Sequence, residues 1–123
     1  FPGESYVDII GFDNYQTRGK TSQQYIDDME RNLKILCDIS KSLDKISAVT
    51  ETGYECIPES KWWTNTLYKA ISQYPIVYVL CWRNGRPDHY YVPYPGQKSS
   101  ADFRVFCRLP GIQLLNKDLI LYE

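Results

Sequence analysis

The sequence predicts an α/β fold of consecutive strand–helix units, with parallel strands covered by helices, and three observations predict it. Short apolar runs and stretches of helical periodicity alternate in the order strand, helix, strand, helix, strand, helix. Two of the runs, "ISAVT" and "PIVYVLCW", are continuously apolar rather than alternating. That is the pattern of strands buried on both faces, as in a parallel sheet. No GxGxxG or GxxxxGKS/T pattern occurs anywhere in the chain. A doubly wound nucleotide-binding sheet needs such glycines at its first strand–helix turn, so the (β/α)8 barrel is the better template.

Each element has its own signal. "YVDIIGFD", Tyr6 to Asp13, is the first strand, and "QTRGKTS" is a polar loop. Thr21 and Gln24 have the spacing of a capping box and start a helix at about Ser22 that runs to about Leu43. Ile26, Met29, Leu33, Leu36 and Cys37 recur at three and four residues and form its buried stripe, whereas Asp27, Asp28, Glu30, Arg31 and Lys34 form its solvated face. "ISAVT" is the second strand and "ETGYECIPES" the loop after it. A second helix is expected from about Lys61 to Gln73, with Trp63, Leu67, Ala70 and Ile71 facing inward. "PIVYVLCW" is the third strand, followed by a Pro- and Gly-rich loop, "RNGRPDHYYVPYPGQKSS". Ser99 or Ser100 caps a helix over "ADFRVFCRL", and "LLNKDLILYE" is expected to be a further short helix.

Composition narrows the function. At 123 residues the chain is one domain or a piece of one. With 14 basic and 15 acidic residues, a net charge of −1 and no long like-charge run, nucleic acid is not an expected partner. No apolar stretch approaches the ~20 residues of a membrane span. The start, "FPGESYVDII", lacks Met and any leader pattern, so the chain is expected to be the later part of a longer protein. Cys37, Cys56, Cys81 and Cys107 form no CxxC pair or His-rich cluster, so no metal or other cofactor is expected. Cys37, Cys81 and Cys107 read as buried small hydrophobes. The 11 Tyr and 3 Trp residues suit a protein that stacks on hydroxyl-rich ligands.

In barrels the chemistry sits where strands end. The residues past the three expected strands are Asp13 and Tyr15, then Glu51 and Tyr54, then Trp82, Arg83 and His89. Acids, a cation and aromatic rings therefore gather on one rim. The opposite loops, "SLDK" and "SQYP", are short and carry no such set.

The stretches "YVDIIGFDNYQ", "TETGYE", "WWTN", "YVLCWRN" and "HYYVPYPGQKSSADF", in that order across nearly the whole chain, resemble glycoside hydrolase family 26, the β-mannanase family with a (β/α)8 barrel and a retaining mechanism. The resemblance implies that the strands are the sixth, seventh and eighth of the barrel, so that residues 1–123 are the C-terminal portion of one catalytic domain. It implies that Glu51, at the end of the seventh strand, is the nucleophile. It places the general acid/base glutamate on the fourth strand, to which no part of this sequence corresponds. An eight-unit barrel runs to about 250 residues.

Retaining hydrolysis uses two carboxyl groups about 5–5.5 Å apart, one attacking the anomeric carbon and the other shuttling the proton. From residue pattern alone, Glu51 reads sooner as an exposed strand-end acid or a helix-capping acid than as a nucleophile. The resemblance adds Trp82 and Arg83 as the active-site tryptophan and its arginine, and Asp13 and Tyr15 as the acid and tyrosine of the sixth strand. Arg83 near Glu51 would keep it ionised and could bind sugar hydroxyls. Trp82 would floor the site, Tyr15 would orient Glu51, and Asp13 and Tyr54 would contact substrate. Of the "WW" pair, Trp63 fits the buried stripe, so Trp62 is the candidate for a neighbouring sugar subsite. His89 reads as a loop residue rather than a catalyst. Glu55 lies on the same strand end as Glu51 and is rejected as its partner.

The expected function is thus a fragment of an endo-β-1,4-mannanase acting on mannan, glucomannan or galactomannan by double displacement, inactive alone because it lacks the proton donor. Relatives that cut β-1,3-xylan or mixed-linkage β-glucan are the near alternative. A non-catalytic polysaccharide-binding module is the distant one, and modules of that kind are usually β-sandwiches. Open sheet edges predict self-association or pairing with the missing N-terminal part of the barrel. A polymeric substrate implies an exported enzyme, whether secreted, periplasmic or at the cell surface.

Overall fold

A computed structural model describes residues 3–115. After a 3-10 turn, Glu4–Tyr6, the elements are strand β1 (Ile9–Gln16), helix α1 (Ser22–Ser42), strand β2 (Ile46–Tyr54), helix α2, strand β3 (Ile76–Cys81) and helix α3 (Ser100–Phe106). Helix α2 comprises π-helical turns over Trp63–Tyr68 that pass into an α-helical stretch, Lys69–Ile71. The strands form one parallel sheet in the order β1-β2-β3. The helices cover one face of it, and the other face is open. This is an α/β architecture, unlike the β-sandwich of a binding module.

Helix α1 forms as its sequence prescribes. Thr21 Oγ1 accepts the Gln24 backbone N–H at 3.2 Å and Gln24 Oε1 accepts the Thr21 N–H at 2.9 Å, closing the capping box. Tyr25, Ile26, Met29, Leu33 and Leu36 are buried in the core with Val49, Trp62, Trp63, Leu67, Ala70, Ile71 and Phe106. Buried apolar area of this kind is the main favourable contribution to the fold.

The structure changes several expected boundaries. Strand β1 starts at Ile9 instead of Tyr6 and runs on to Gln16. Strand β2 does not stop at Thr50 but continues to Tyr54, so Glu51 lies within it. Its polar last residues pair because β1 lies alongside them as far as Gln16. The second helix is shorter than expected and mostly π-helical. Its wider turn buries two consecutive rings, Trp62 against Tyr25 and Tyr54, and Trp63 against Phe103 and Phe106. Cys37, Cys81 and Cys107 are free thiols, half-buried rather than buried. Cys81 and Cys107 pack at the margin of the core, where the cover of other elements ends. Most of the expected tail helix lies outside the described residues. Among the described residues no helix is long and apolar enough to cross a membrane.

Candidate active site at the strand ends

A β-bulge decides where Glu51 faces. In β1 the even-numbered residues turn toward the helices: Ile10 and Phe12 pack on the core, and Gln16 bonds Trp62. The odd-numbered residues turn to the open face. In β2, Val49 belongs to the core and Thr52 bonds Tyr25 of α1, so both turn to the helices, although two residues, not one, lie between them. The register explains this: Phe12 pairs with Val49 and Asp13 with Glu51, so Thr50 is the extra residue. Thr50 and Glu51 are consecutive and both reach the open face. Gly11 makes room, because a Cβ there would stand 2.4 Å from Thr50 Cγ2. Regular alternation would have aimed Glu51 at the helices.

On the open face the side chains pair across the strands. The Tyr15 hydroxyl donates to Glu51 Oε2 at 2.8 Å, and the Thr50 hydroxyl donates to Asp13 Oδ1 at 2.8 Å. Burial, then the hydrogen bond and negative charge of Glu51, push the Tyr15 hydroxyl pKa well above the ordinary tyrosine value. Tyr15 therefore stays a proton donor to the carboxylate. Trp82 follows on β3, where its N–H donates to the Thr52 carbonyl at 3.0 Å and prolongs the parallel pairing. Alternation after Cys81, which packs on the core, turns the half-exposed Trp82 ring to the open face.

Other expected residues lie elsewhere. Trp62 is fully buried, with Nε1 donating to Gln16 Oε1 at 2.7 Å. It is not at a rim subsite, because the π-helical start buries both tryptophans. The Tyr54 ring likewise turns to Trp62, centroids 6.4 Å apart, and packs on the core rather than on the open face. Arg83 is exposed and makes no ion pair with Glu51 among the described residues. Among the described residues, the side-chain hydrogen bond to Glu51 comes from the Tyr15 hydroxyl. His89 Nδ1 lies 2.7 Å from Glu55 Oε1, which ties Glu55 into the loop after β3. Three residues beside these strand ends went unforeseen: Thr50, which bonds Asp13, Tyr91, whose ring meets Tyr15, and Asn84, which bonds the Tyr91 backbone. The signal available for Thr50 was a polar residue ending an apolar strand, and for Asn84 a side-chain amide opening a long loop.

No protein-family model matches the chain and no curated protein does. Solved structures do match. A GH26 β-mannanase from Bacteroides ovatus superimposes with a TM-score of 0.90 at 45% identity, over 100% of this chain and 36% of that one. The chain belongs to glycoside hydrolase family 26. The GH26C structure from Muricauda sp. matches with a TM-score of 0.81 at 32% identity, over 93% of this chain and 32% of that one. The catalytic domain of a Bacillus sp. GH26 endo-β-1,4-mannanase matches with a TM-score of 0.75 at 27% identity, over 87% and 32%. The chain thus spans about a third of the length of the family 26 structures it matches. Its three parallel strands are an open part of the family's barrel.

Proposed function

We propose that Glu51 is the nucleophile of a retaining β-mannanase of which this chain, residues 1–123, is the C-terminal portion. The observation that carries the reading is the bond from the Tyr15 hydroxyl to Glu51 Oε2, 2.8 Å long, on the open face to which the β2 bulge turns Glu51. One carboxylate oxygen is thereby fixed and the other is left to attack. The carboxylate bonds to the anomeric carbon as the glycosidic C–O bond breaks, and the leaving oxygen takes a proton from the general acid. The same residue then deprotonates the water that hydrolyses the glycosyl ester.

Asp13, with one oxygen held by Thr50, keeps the other for a sugar hydroxyl. Trp82 offers a ring for stacking, and Arg83, which pairs with no acid among the described residues, a guanidinium for hydroxyls. The acid/base is assigned to a strand beyond this sequence, since Glu55 is engaged by His89. The substrate proposed is mannan, glucomannan or galactomannan, in keeping with the mannanase names of the matched structures, and an enzyme for such polymers is exported. The 123-residue chain alone is expected to be inactive on mannan, because general acid catalysis supplies typically 10²- to 10⁴-fold.

The test is covalent trapping in the full-length protein with a 2-deoxy-2-fluoro-β-mannosyl fluoride, whose fluoride leaves without a proton donor. Peptide mapping is expected to find the sugar on Glu51, and Glu51→Ala to abolish turnover while retaining oligosaccharide binding. An adduct on another residue, or near-normal turnover of Glu51→Ala, overturns the assignment. Faster hydrolysis of β-1,3-xylan or mixed-linkage β-glucan than of mannan overturns the substrate and leaves the nucleophile standing.

A further inference from the structure

The loop after β3 brings Tyr91 back across the end of β2 and holds it there in two ways. Gly53 offers no side chain, and a Cβ at that position would stand 2.4 Å from Tyr91 Cδ1 and 3.1 Å from Cγ. The ring therefore lies directly on the β2 backbone, two residues beyond Glu51. Asn84 holds the loop backbone: its Oδ1 accepts the N–H groups of Tyr91 and Val92, each at 3.0 Å, and its Nδ2 donates to the Val92 carbonyl at 2.8 Å. One side chain thus satisfies three main-chain groups of the loop.

The ring so placed meets Tyr15 edge-on, with centroids 5.6 Å apart at 70°. Its other neighbour is His89, at 5.4 Å and 89°. Tyr15 is only half-buried on an open face, and a ring with room beside it exchanges rotamers. We infer that Tyr91, set in place by Gly53 and Asn84, is a positioning residue: it fixes the Tyr15 ring so that the Tyr15 hydroxyl stays on Glu51. The inference rests on Glu51 being the nucleophile. An edge-to-face aromatic contact of this strength corresponds to roughly tenfold in a rate that depends on it.

The experiment measures the rate of fluorosugar adduct formation on Glu51 in the full-length protein, by intact mass. Tyr91→Leu is expected to slow labelling about tenfold, and Tyr91→Phe, which keeps the ring, to restore the wild-type rate. In a Tyr15→Phe background Tyr91→Leu is expected to slow labelling no further, because the hydroxyl through which it acts is gone. A residue that merely supports the fold would slow both backgrounds alike, and that outcome overturns the inference. So does an unchanged rate in Tyr91→Leu while wild type labels normally. No adduct on Glu51 in wild type removes the nucleophile reading, and this inference with it. Should Tyr91→Leu not fold, Asn84→Ala is measured in its place with the same dependence on Tyr15 required.

Discussion

Two tyrosine hydroxyls near the strand ends are held in opposite settings. Tyr15 serves the open face. Tyr25, fully buried, lies on the helix side with its hydroxyl 2.6 Å from Thr52 Oγ1. Thr52 gives its single hydroxyl proton to the Asn14 carbonyl at 2.7 Å, so Tyr25 must be the donor to Thr52. Burial is the main cause that raises both tyrosine pKa values above the ordinary 10.0, and it pushes the Cys81 thiol up to about 12. The sign follows directly. Between its unfolded and folded pKa each group is protonated in the folded chain and ionised in the unfolded one. Their contribution to stability is whole below the unfolded value and declines as pH rises past it. Denaturant midpoints of the full-length protein should therefore fall between about pH 9 and pH 11. Tyr25→Phe should lessen that fall while costing on the order of 1 kcal/mol at neutral pH. An identical fall in the variant would show that Tyr25 does not carry it.

At the scale of elements, α1 was legible and the functional end of β2 was not. Helix α1 announces itself through Thr21, Gln24 and a stripe of apolar residues, all local signals that packing then reinforces. The polarity of Glu51 and Thr52 argued that β2 had ended, but neighbouring strands decide where a strand ends, and β1 pairs it through Tyr54. No period in the sequence marks the bulge, because Thr50 is extra only relative to β1 and β3. The π-helical start of α2 was hidden likewise: the sequence allowed one of Trp62 and Trp63 inside, and the wider turn admits both. The candidate pair Tyr15 and Glu51 was named correctly as neighbours, whereas Tyr54 and Trp62 were misplaced by these two irregularities. The bulge itself yields a test. If Thr50 is the extra residue, deleting it leaves Val49 facing the helices, Glu51 the open side and Thr52 the helices. Deletion of Thr50 should then preserve the fold and fluorosugar labelling of Glu51, losing only the bond to Asp13 and some stability. Loss of labelling with the fold retained would mean that the register is not what aims Glu51. A second element-scale expectation concerns Asp102 of α3. It is 1% exposed and accepts the Thr64 N–H at 3.0 Å and hydroxyl at 2.7 Å in the first turn of α2. Asp102→Ala should lower stability by about 1–3 kcal/mol, read as a lower denaturant midpoint at unchanged slope.

At the scale of the whole molecule, the sheet is unfinished in a specific way. Among the described residues, strands β1 and β3 each have one unpaired edge, and the face opposite the helices is uncovered. By alternation that face carries Ile9, Ile46 and Leu80, which are 43%, 49% and 42% exposed, with Val77 and Tyr78 exposed beside the β3 irregularity. Covering a side chain of this size contributes about 1.5–3 kcal/mol, and a domain's whole net stability is of order 5–15 kcal/mol. Leaving several exposed is therefore a large fraction of what holds such a chain folded. Unpaired edges add a template for association. The 123-residue chain by itself should accordingly self-associate, with sedimentation coefficients that rise with concentration. Leu80→Lys, which puts a charge on both the open face and the β3 edge, should shift it toward monomer without altering α1. A monodisperse monomer at all concentrations would show that the open face tolerates water. Association at the same level in Leu80→Lys would place the contact elsewhere, on the exposed Ile35 and Ile39 of α1. The same uncovered face holds Tyr15 and Glu51, so whatever closes it in the assembled barrel also encloses the candidate nucleophile. Supplying the remainder of the barrel in trans should then suppress self-association and restore fluorosugar labelling together, and either change without the other would separate the packing role of this face from its chemical one.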